Sequence, residues 1–259
     1  MKSILRRTAT IGLAASALLG TFFVSATRVL ALSEEQIVKI LDQVPVFFIG
    51  NNQGILLTAN QPNNQKGPKV ALAFVSPKDA QTYLDQVKKA NPNIGNQGQI
   101  IVQPLSAIYV HNKGNKDKQD SFVFECCIPT QKNVEAAITL MKQNGQKVEQ
   151  LRSTPLFVAR FKGQKGYLVA REGDKVVDWP VFFSKDDLTA ALETLKKQDP
   201  SLANNVEIEV LDLASLMATL TSKNEPSFNA IRLVPPKDAI EYVVKNVQNN
   251  QAQPQAPKK

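Results

Sequence analysis

From residue 32 onward the apolar positions fall into two alternating periods, one helical and one extended. After Ser76 the residues Ala80, Tyr83, Leu84 and Val87 recur at helical spacing, and after Ser184 the residues Leu188, Ala191, Leu192 and Leu195 repeat that stripe. Each predicts an amphipathic helix laid on a core. Ser76 with Asp79, and Ser184 with Asp187, match the N-terminal box in which a hydroxyl and a carboxylate serve otherwise unpaired amides. Asn91-Pro92 and Asp199-Pro200 end the two helices. A second pair carries the stripes Val134, Ala137, Ile138, Met141 and Ile240, Val243, Val244, Val247, introduced by Pro129 and by Pro235-Pro236. A third helix is clear over Leu213, Leu216, Met217 and Leu220, and its counterpart begins at Leu105, after Pro104. Ser33 and Gln36 predict a capped helix that ends near Gln43.

Between the helices, short apolar runs bounded by turn residues predict strands at 44–49, 55–58, 70–75, 100–103 and 122–128. A second set follows at 156–161, 167–170, 181–183, 206–211 and 228–234. The two sets align. Residues 44–48 match 154–158, residues 76–92 match 184–200 without a gap, and residues 121–138 match 227–244, so the offset stays near 108 and drifts only in loops. A solenoid repeats every 20 to 50 residues; one long period repeated once predicts a duplicated half. The expected fold class is α+β: an internally duplicated, pseudo-twofold, two-lobed body, each half a mixed β-sheet with amphipathic helices packed on it. Two similar surfaces should result.

The segments outside the repeats read differently. Residues 1–31 have a basic start at Lys2, Arg6 and Arg7, an apolar stretch from Ile11 to Ala26 and a small-residue pattern at Val29-Leu30-Ala31, which predicts a cleavable export signal. A retained anchor needs about 20 apolar residues, and Thr21, Ser25, Thr27 and Arg28 interrupt this run. The expected organisation is a leader over 1–31, a first repeat over 32–145, a second over 146–244, and a disordered Gln/Asn/Pro/Lys tail over 245–259.

That division changes the meaning of the charge. The chain of 259 residues has 31 basic and 23 acidic residues, a net charge of +8. Four of those charges belong to the leader, and Lys245, Lys258 and Lys259 place three more in the tail, which leaves +1 on residues 32–244. Nucleic-acid binding depends on clustered Lys and Arg, so it is excluded, and no stable membrane insertion is expected after cleavage.

Catalytic chemistry is scarce. The single histidine, His111, stands in a loop-like Val-His-Asn-Lys-Gly context without a nucleophile elbow. One histidine and two adjacent cysteines do not make a metal site, and neither a P-loop nor G-x-G-x-x-G occurs. No enzyme activity, cofactor or metal is expected. Cys126 and Cys127 align with Arg232 and Leu233. Neighbours in a strand point to opposite faces, so two free, packed thiols are expected, with Cys127 in the core and Cys126 less enclosed; an intermolecular disulfide or a redox role is the alternative.

Three segments carry a resemblance. Leu32-Ser33-Glu34-Glu35-Gln36-Ile37-Val38 leads into Val44-Pro45-Val46-Phe47; Phe74-Val75-Ser76 precedes Asp79-Ala80; Pro180-Val181-Phe182-Phe183-Ser184 precedes Asp187-Leu188. In these, and over nearly all of residues 33–244, the chain resembles the Tic-twenty-two-like family of chloroplast-envelope translocon proteins and their cyanobacterial homologues. The bacterial-type leader points to the cyanobacterial branch. The resemblance implies a soluble periplasmic or intermembrane-space chaperone with apolar pockets, which escorts unfolded precursor proteins and works with the outer-membrane Omp85-type assembly machinery; the export-type leader leaves periplasm and thylakoid lumen both open. The alternative is a structural adaptor that docks on that machinery without holding clients. A client-binding protein needs exposed apolar surface, and the Phe-rich segments nominate Phe47, Phe48, Phe157, Trp179, Phe182 and Phe183.

Overall fold

The structure is a computed structural model that describes residues 10–13, 31–59, 69–114, 122–164, 166–201, 205–223 and 225–252. In chain order the elements are β1 (Thr10–Leu13), α1 (Glu34–Leu41), β2 (Pro45–Gly50), β3 (Thr58–Ala59), β4 (Val70–Phe74), α2 (Pro77–Ala90), α3 (Pro92–Gly95), β5 (Gln99–Pro104), α4 (Leu105–Gly114) and β6 (Val123–Ile128). There follow α5 (Gln131–Gln143), β7 (Pro155–Phe161), β8 (Leu168–Glu172), β9 (Lys175–Phe182), α6 (Lys185–Gln198), β10 (Val206–Asp212), α7 (Leu213–Ser222), a 3₁₀ turn (Pro226–Ala230), β11 (Ile231–Val234) and α8 (Lys237–Ala252).

The fold is α+β, with two sheets in two compact units. The first-sheet unit comprises residues 41–134 and 235–259. Its strands run in the order β3-β4-β2-β5, antiparallel, with β6 added parallel to β4. The second-sheet unit comprises residues 1–40 and 135–234. Its order is β8-β9-β7-β10, again antiparallel, with β11 parallel to β9 and β1 on the outer edge of β8. Strand for strand the two orders match.

Each core follows from the predicted stripes. In the first-sheet unit Phe47 packs with Phe74, with Ala80 of α2 and with Ala239 of α8, and Tyr242 meets the Phe47 ring edge-on at 5.3 Å. In the second-sheet unit Phe157 packs with Phe182, Ala137 of α5 and Leu188 of α6. Burying one such phenylalanine stabilises the fold by about 1.5–3 kcal/mol. The compact units therefore cut the chain differently from the expected repeat boundary at 145/146: α5, expected to close the first repeat, serves the second sheet, and α8, expected to close the second, serves the first.

Local signals hold unevenly. Ser33 and Gln36 form the expected reciprocal box, with the Ser33 amide donating to Gln36 Oε1 at 2.8 Å and the Gln36 amide to Ser33 Oγ at 3.3 Å. Ser184 Oγ accepts from the Asp187 amide at 3.2 Å, as expected. Ser76 does not repeat this. Its side chain makes no cap bond and instead donates to Asp238 Oδ2 at 3.0 Å, because α8 brings a carboxylate to a nearly buried hydroxyl.

Several expected boundaries move. The strand expected at 181–183 starts at Lys175, since Gly173 takes a left-handed turn (φ 60°) that folds β9 back on β8. The run at 228–234 opens as the 3₁₀ turn and becomes strand only at Ile231. The tail expected to be disordered from 245 continues α8 through Ala252, because no proline interrupts the chain before Pro254; residues 253–259 lie outside the described residues. Within the segment expected to be a leader, Thr10–Leu13 pairs with β8, and the rest of residues 1–30 lies outside the described residues. Among the described residues no helix is long and apolar enough to cross a membrane.

Candidate functional site

The six aromatic candidates divide sharply. Phe47, Phe48, Phe157 and Phe183 are at most 1% exposed and Phe182 is 8% exposed, so all five are core residues. Phe47 and Phe48 face opposite sides of β2, but helices or neighbouring strands cover both sides, so the expected surface role fails for side chains buried this deeply. Trp179 is half-buried, stacked on Tyr167 at 5.0 Å and 6.4 Å from Phe228. Burial, helped by the negative charge of Glu209 and opposed by Arg160, raises the Tyr167 pKa above its ordinary value, so this phenol is neutral.

What remains open is a groove on the Phe48 face of the first sheet. It has a volume near 290 Å³, and its walls are Phe48, Leu56, Ile101, Ile108, His111 and Phe124. β2 and β5 bring Phe48 and Ile101 opposite one another, and α4 contributes Ile108 and His111. A second depression, near 210 Å³, lies on the other side of the β2–β3 loop and shares Leu56. At the tip of that loop Ile55 is 62% exposed. Asn51 shapes the loop by accepting from the amides of Gln53 (3.0 Å) and Ile55 (2.9 Å). Gly50 is required beside it, since a Cβ there would meet the Ile55 carbonyl oxygen at 2.8 Å and crowd the Ile101 side chain.

The corresponding face of the second sheet is charged. There β7 and β10 bring Val158 opposite Glu209 and Arg160 opposite Glu207. Arg160 pairs with Glu207 at 2.7 Å and Glu209 at 3.2 Å. The expectation of two similar surfaces is thus corrected: Glu209 stands where the first repeat has Ile101. The second-sheet unit has its own depression, near 380 Å³, where Lys147, Glu149, Arg152 and Asp212 share the lining with Met141 and Leu151.

His111, expected in a loop, and its neighbour Asn112 hold the groove's far wall. His111 and Asn112 lie inside α4 rather than in a loop. The Asn112 side chain donates to the Phe124 carbonyl at 3.3 Å and accepts from the Phe124 amide at 3.0 Å, imitating a neighbouring strand. His111 Nε2 lies 3.1 Å from the Phe122 carbonyl oxygen, and its ring packs on Phe122 (4.5 Å) and Phe124 (4.8 Å). Phe124 in turn packs on Phe48 at 4.9 Å.

The cysteines also depart from expectation. Cys126 and Cys127 are joined to each other, so neither is free. Cys127 is wholly buried and Cys126 partly exposed, as the repeat predicts. The expected alignment shifts, however. Leu72 pairs with Glu125 and Phe74 with Ile128, so two residues of β6 stand opposite Ala73 alone, whereas β11 runs against β9 without interruption. The pair together fills the place of Leu233, and Glu125 takes that of Arg232. The reason is a β-bulge, in which Cys127 adopts the left-handed φ of 69°. Among the described residues no group of acidic, histidine or cysteine side chains could hold a metal ion.

Residues 8–246 match the Tic22-like family. The chain belongs to that family. A curated Tic22-like relative, the chloroplastic Protein TIC 22-like of Arabidopsis thaliana, is 24% identical over 211 residues, which are 79% of this chain and 62% of the relative. The chain thus spans under two thirds of that relative's length. Among solved structures, Anabaena Tic22, described as a protein-transport protein, superposes with a TM-score of 0.71 at 29% identity, over 87% of this chain and all of the other. Tic22 from Plasmodium falciparum shares the fold, with a TM-score of 0.62 at 20% identity over 84% of this chain and 99% of the other.

Proposed function

We propose that this Tic22-like protein acts in protein transport by holding extended segments of unfolded precursor proteins in the apolar groove of the first-sheet unit. In this reading it works in the periplasm or thylakoid lumen and passes precursors to the outer-membrane Omp85-type assembly machinery. The observation that carries the proposal is the contrast between matched faces: Leu56, Ile101 and Phe124 line an open groove above the buried Phe48 on one sheet, while Arg160, Glu207 and Glu209 close the equivalent face of the other with ion pairs. The membership of Anabaena Tic22 in protein transport supports the general role. A groove walled by aliphatic and aromatic side chains accepts many sequences, because apolar burial is non-directional. The duplication itself belongs to the proposal: matching strand orders and the offset near 108 support descent of both sheets from one half.

The test compares the wild-type protein with Ile101→Glu. The second repeat already carries Glu209 at the matched position, so the fold tolerates this residue there. The wild-type protein should suppress aggregation of a denatured outer-membrane β-barrel precursor, and Ile101→Glu should lose most of that effect while keeping its circular dichroism. Binding to the periplasmic domains of the assembly machinery with no suppression by either protein would select the adaptor role instead.

A further inference from the structure

Beside the groove the two parallel strand pairs differ in construction. In the second-sheet unit Leu233 alone faces Val181, and β11 is regular. In the first-sheet unit Cys126 and Cys127 are bonded to each other and together oppose Ala73. The matched strand shows that this architecture needs no thiols, so the cysteines do something that Leu233 does not.

We propose that Cys126–Cys127 is a reducible clasp, opened by a dithiol reductant, that sets the position of the Phe124 wall of the groove. The bulge is anchored on both sides. Downstream, Ile128 pairs with Phe74 and accepts from the Val75 amide at 3.2 Å. Upstream, Phe124 is held by the Asn112 side chain and by ring contacts with Phe48 and His111. Between the anchors Cys127 occupies the left-handed region at φ 69°, which residues with a Cβ seldom adopt. The bond to Cys126 holds it there.

Access sets the order of events. Cys126 is partly exposed and Cys127 is not, so an incoming thiolate attacks Cys126 Sγ. The Cys126–Cys127 S–S bond breaks as the mixed disulfide forms, and Cys127 leaves with the electron pair and takes up a proton. The second thiol of the reductant then attacks the reductant's own sulfur in the mixed disulfide and releases Cys126 as a thiol. The protein disulfide becomes two thiols, and the dithiol becomes a disulfide. Freed from the ring, Cys127 relaxes toward extended backbone, and the displacement passes along two residues of β6 to Phe124. The clasp itself stands on the strand geometry; its effect on clients rests on the groove reading above.

The experiment uses the whole chain without its leader. Without reductant it should take up no iodoacetamide; after dithiothreitol it should take up two equivalents. Hydrogen exchange at the amides of Leu72 and Phe124 should quicken several-fold on reduction, while exchange in β9 and β11 stays unchanged. Cys126→Ser/Cys127→Ser should show the reduced pattern whether or not dithiothreitol is present, and should that variant fail to fold, exchange in the wild-type protein decides alone. Two equivalents of label without reductant, a disulfide found only between molecules, or unchanged exchange on reduction each overturns the clasp. A fluorescent peptide with alternating apolar residues provides the separate reading: altered exchange with altered peptide affinity supports both proposals. Altered exchange with no peptide bound in either state supports the clasp and overturns the groove.

Discussion

The two sheets share a strand order and differ in what they do with the face opposite the main core. On the first sheet Phe48, Ile101 and Phe124 leave an apolar groove; on the second, Val158 is covered and Arg160 joins Glu207 and Glu209 across the strands. The fastenings differ too. β11 is tied to β9 by a bidentate pair in which Arg232 donates to both Asp178 oxygens at 2.8 Å, whereas β6 is tied through the Asn112 side chain and the cysteine bulge. The shared strand order thus goes with similar packing on the buried side of each sheet and leaves the other side free to differ.

The largest expected effects test whether the two units are energetically separate. Phe47→Ala and Phe157→Ala should each cost about 3–5 kcal/mol, the range for removing a fully buried ring, measured by chemical denaturation. In Phe47→Ala, hydrogen exchange should accelerate first in β2 and β4 while β7 and β9 stay protected. Equal loss of protection in both sheets would refute separate units.

Smaller effects should separate the two fastenings. Asn112→Ala leaves the Phe124 amide and carbonyl without their partner and should cost about 1–3 kcal/mol, with little dependence on salt. Arg232→Ala removes a half-exposed ion pair worth about 0.2–1 kcal/mol, and that difference should shrink at high ionic strength. A salt-sensitive Asn112→Ala would undo the distinction.

The smallest effect concerns the helix starts. Burial first, and the Asp238 carboxylate second, raise the Asp79 pKa above 3.8, with Lys78 opposing. A carboxyl raised in the folded state binds its proton more tightly there, so ionised Asp79 lowers stability at neutral pH and the penalty disappears as pH falls through its folded pKa toward 3.8. Asp79→Asn should therefore be slightly more stable than wild type at pH 7, with the advantage fading in acid. Asp187→Asn, at the matching start of α6 where Ser184 Oγ accepts from the Asp187 amide, serves as the control.

Much of this was legible in the sequence because it depends on period. The stripes over Ala80 to Val87 and Leu188 to Leu195 locate α2 and α6, and the block offsets locate the strands that match between sheets. The groove was less legible, since Phe47 and Phe48 look alike in sequence and apolar character does not tell a covered residue from an exposed one. Yet a signal existed: aligning Gln99 and Ile101 with Glu207 and Glu209 shows an uncharged strand against a charged one. The Ser76–Asp238 bond and the crossing of α5 and α8 were not legible at all, because nothing local records which sheet a terminal helix will meet. The cysteine bulge was hidden by a gapless alignment that is in register from Ile128 onward and one residue out of register before it.

Placing α8 on the first sheet also imposes a schedule. Ser76 and Asp238 are 162 residues apart, and the Phe47 core is closed by Ala239 and Tyr242 near the end of the chain. A polypeptide made amino terminus first exposes β2 and β4 early, but the helix that covers them arrives last. Contacts over such separations form slowly because a long loop must close first. The first sheet therefore waits, uncovered, until the whole chain is nearly complete, so a chain truncated before Lys237 can complete the second core but not the first.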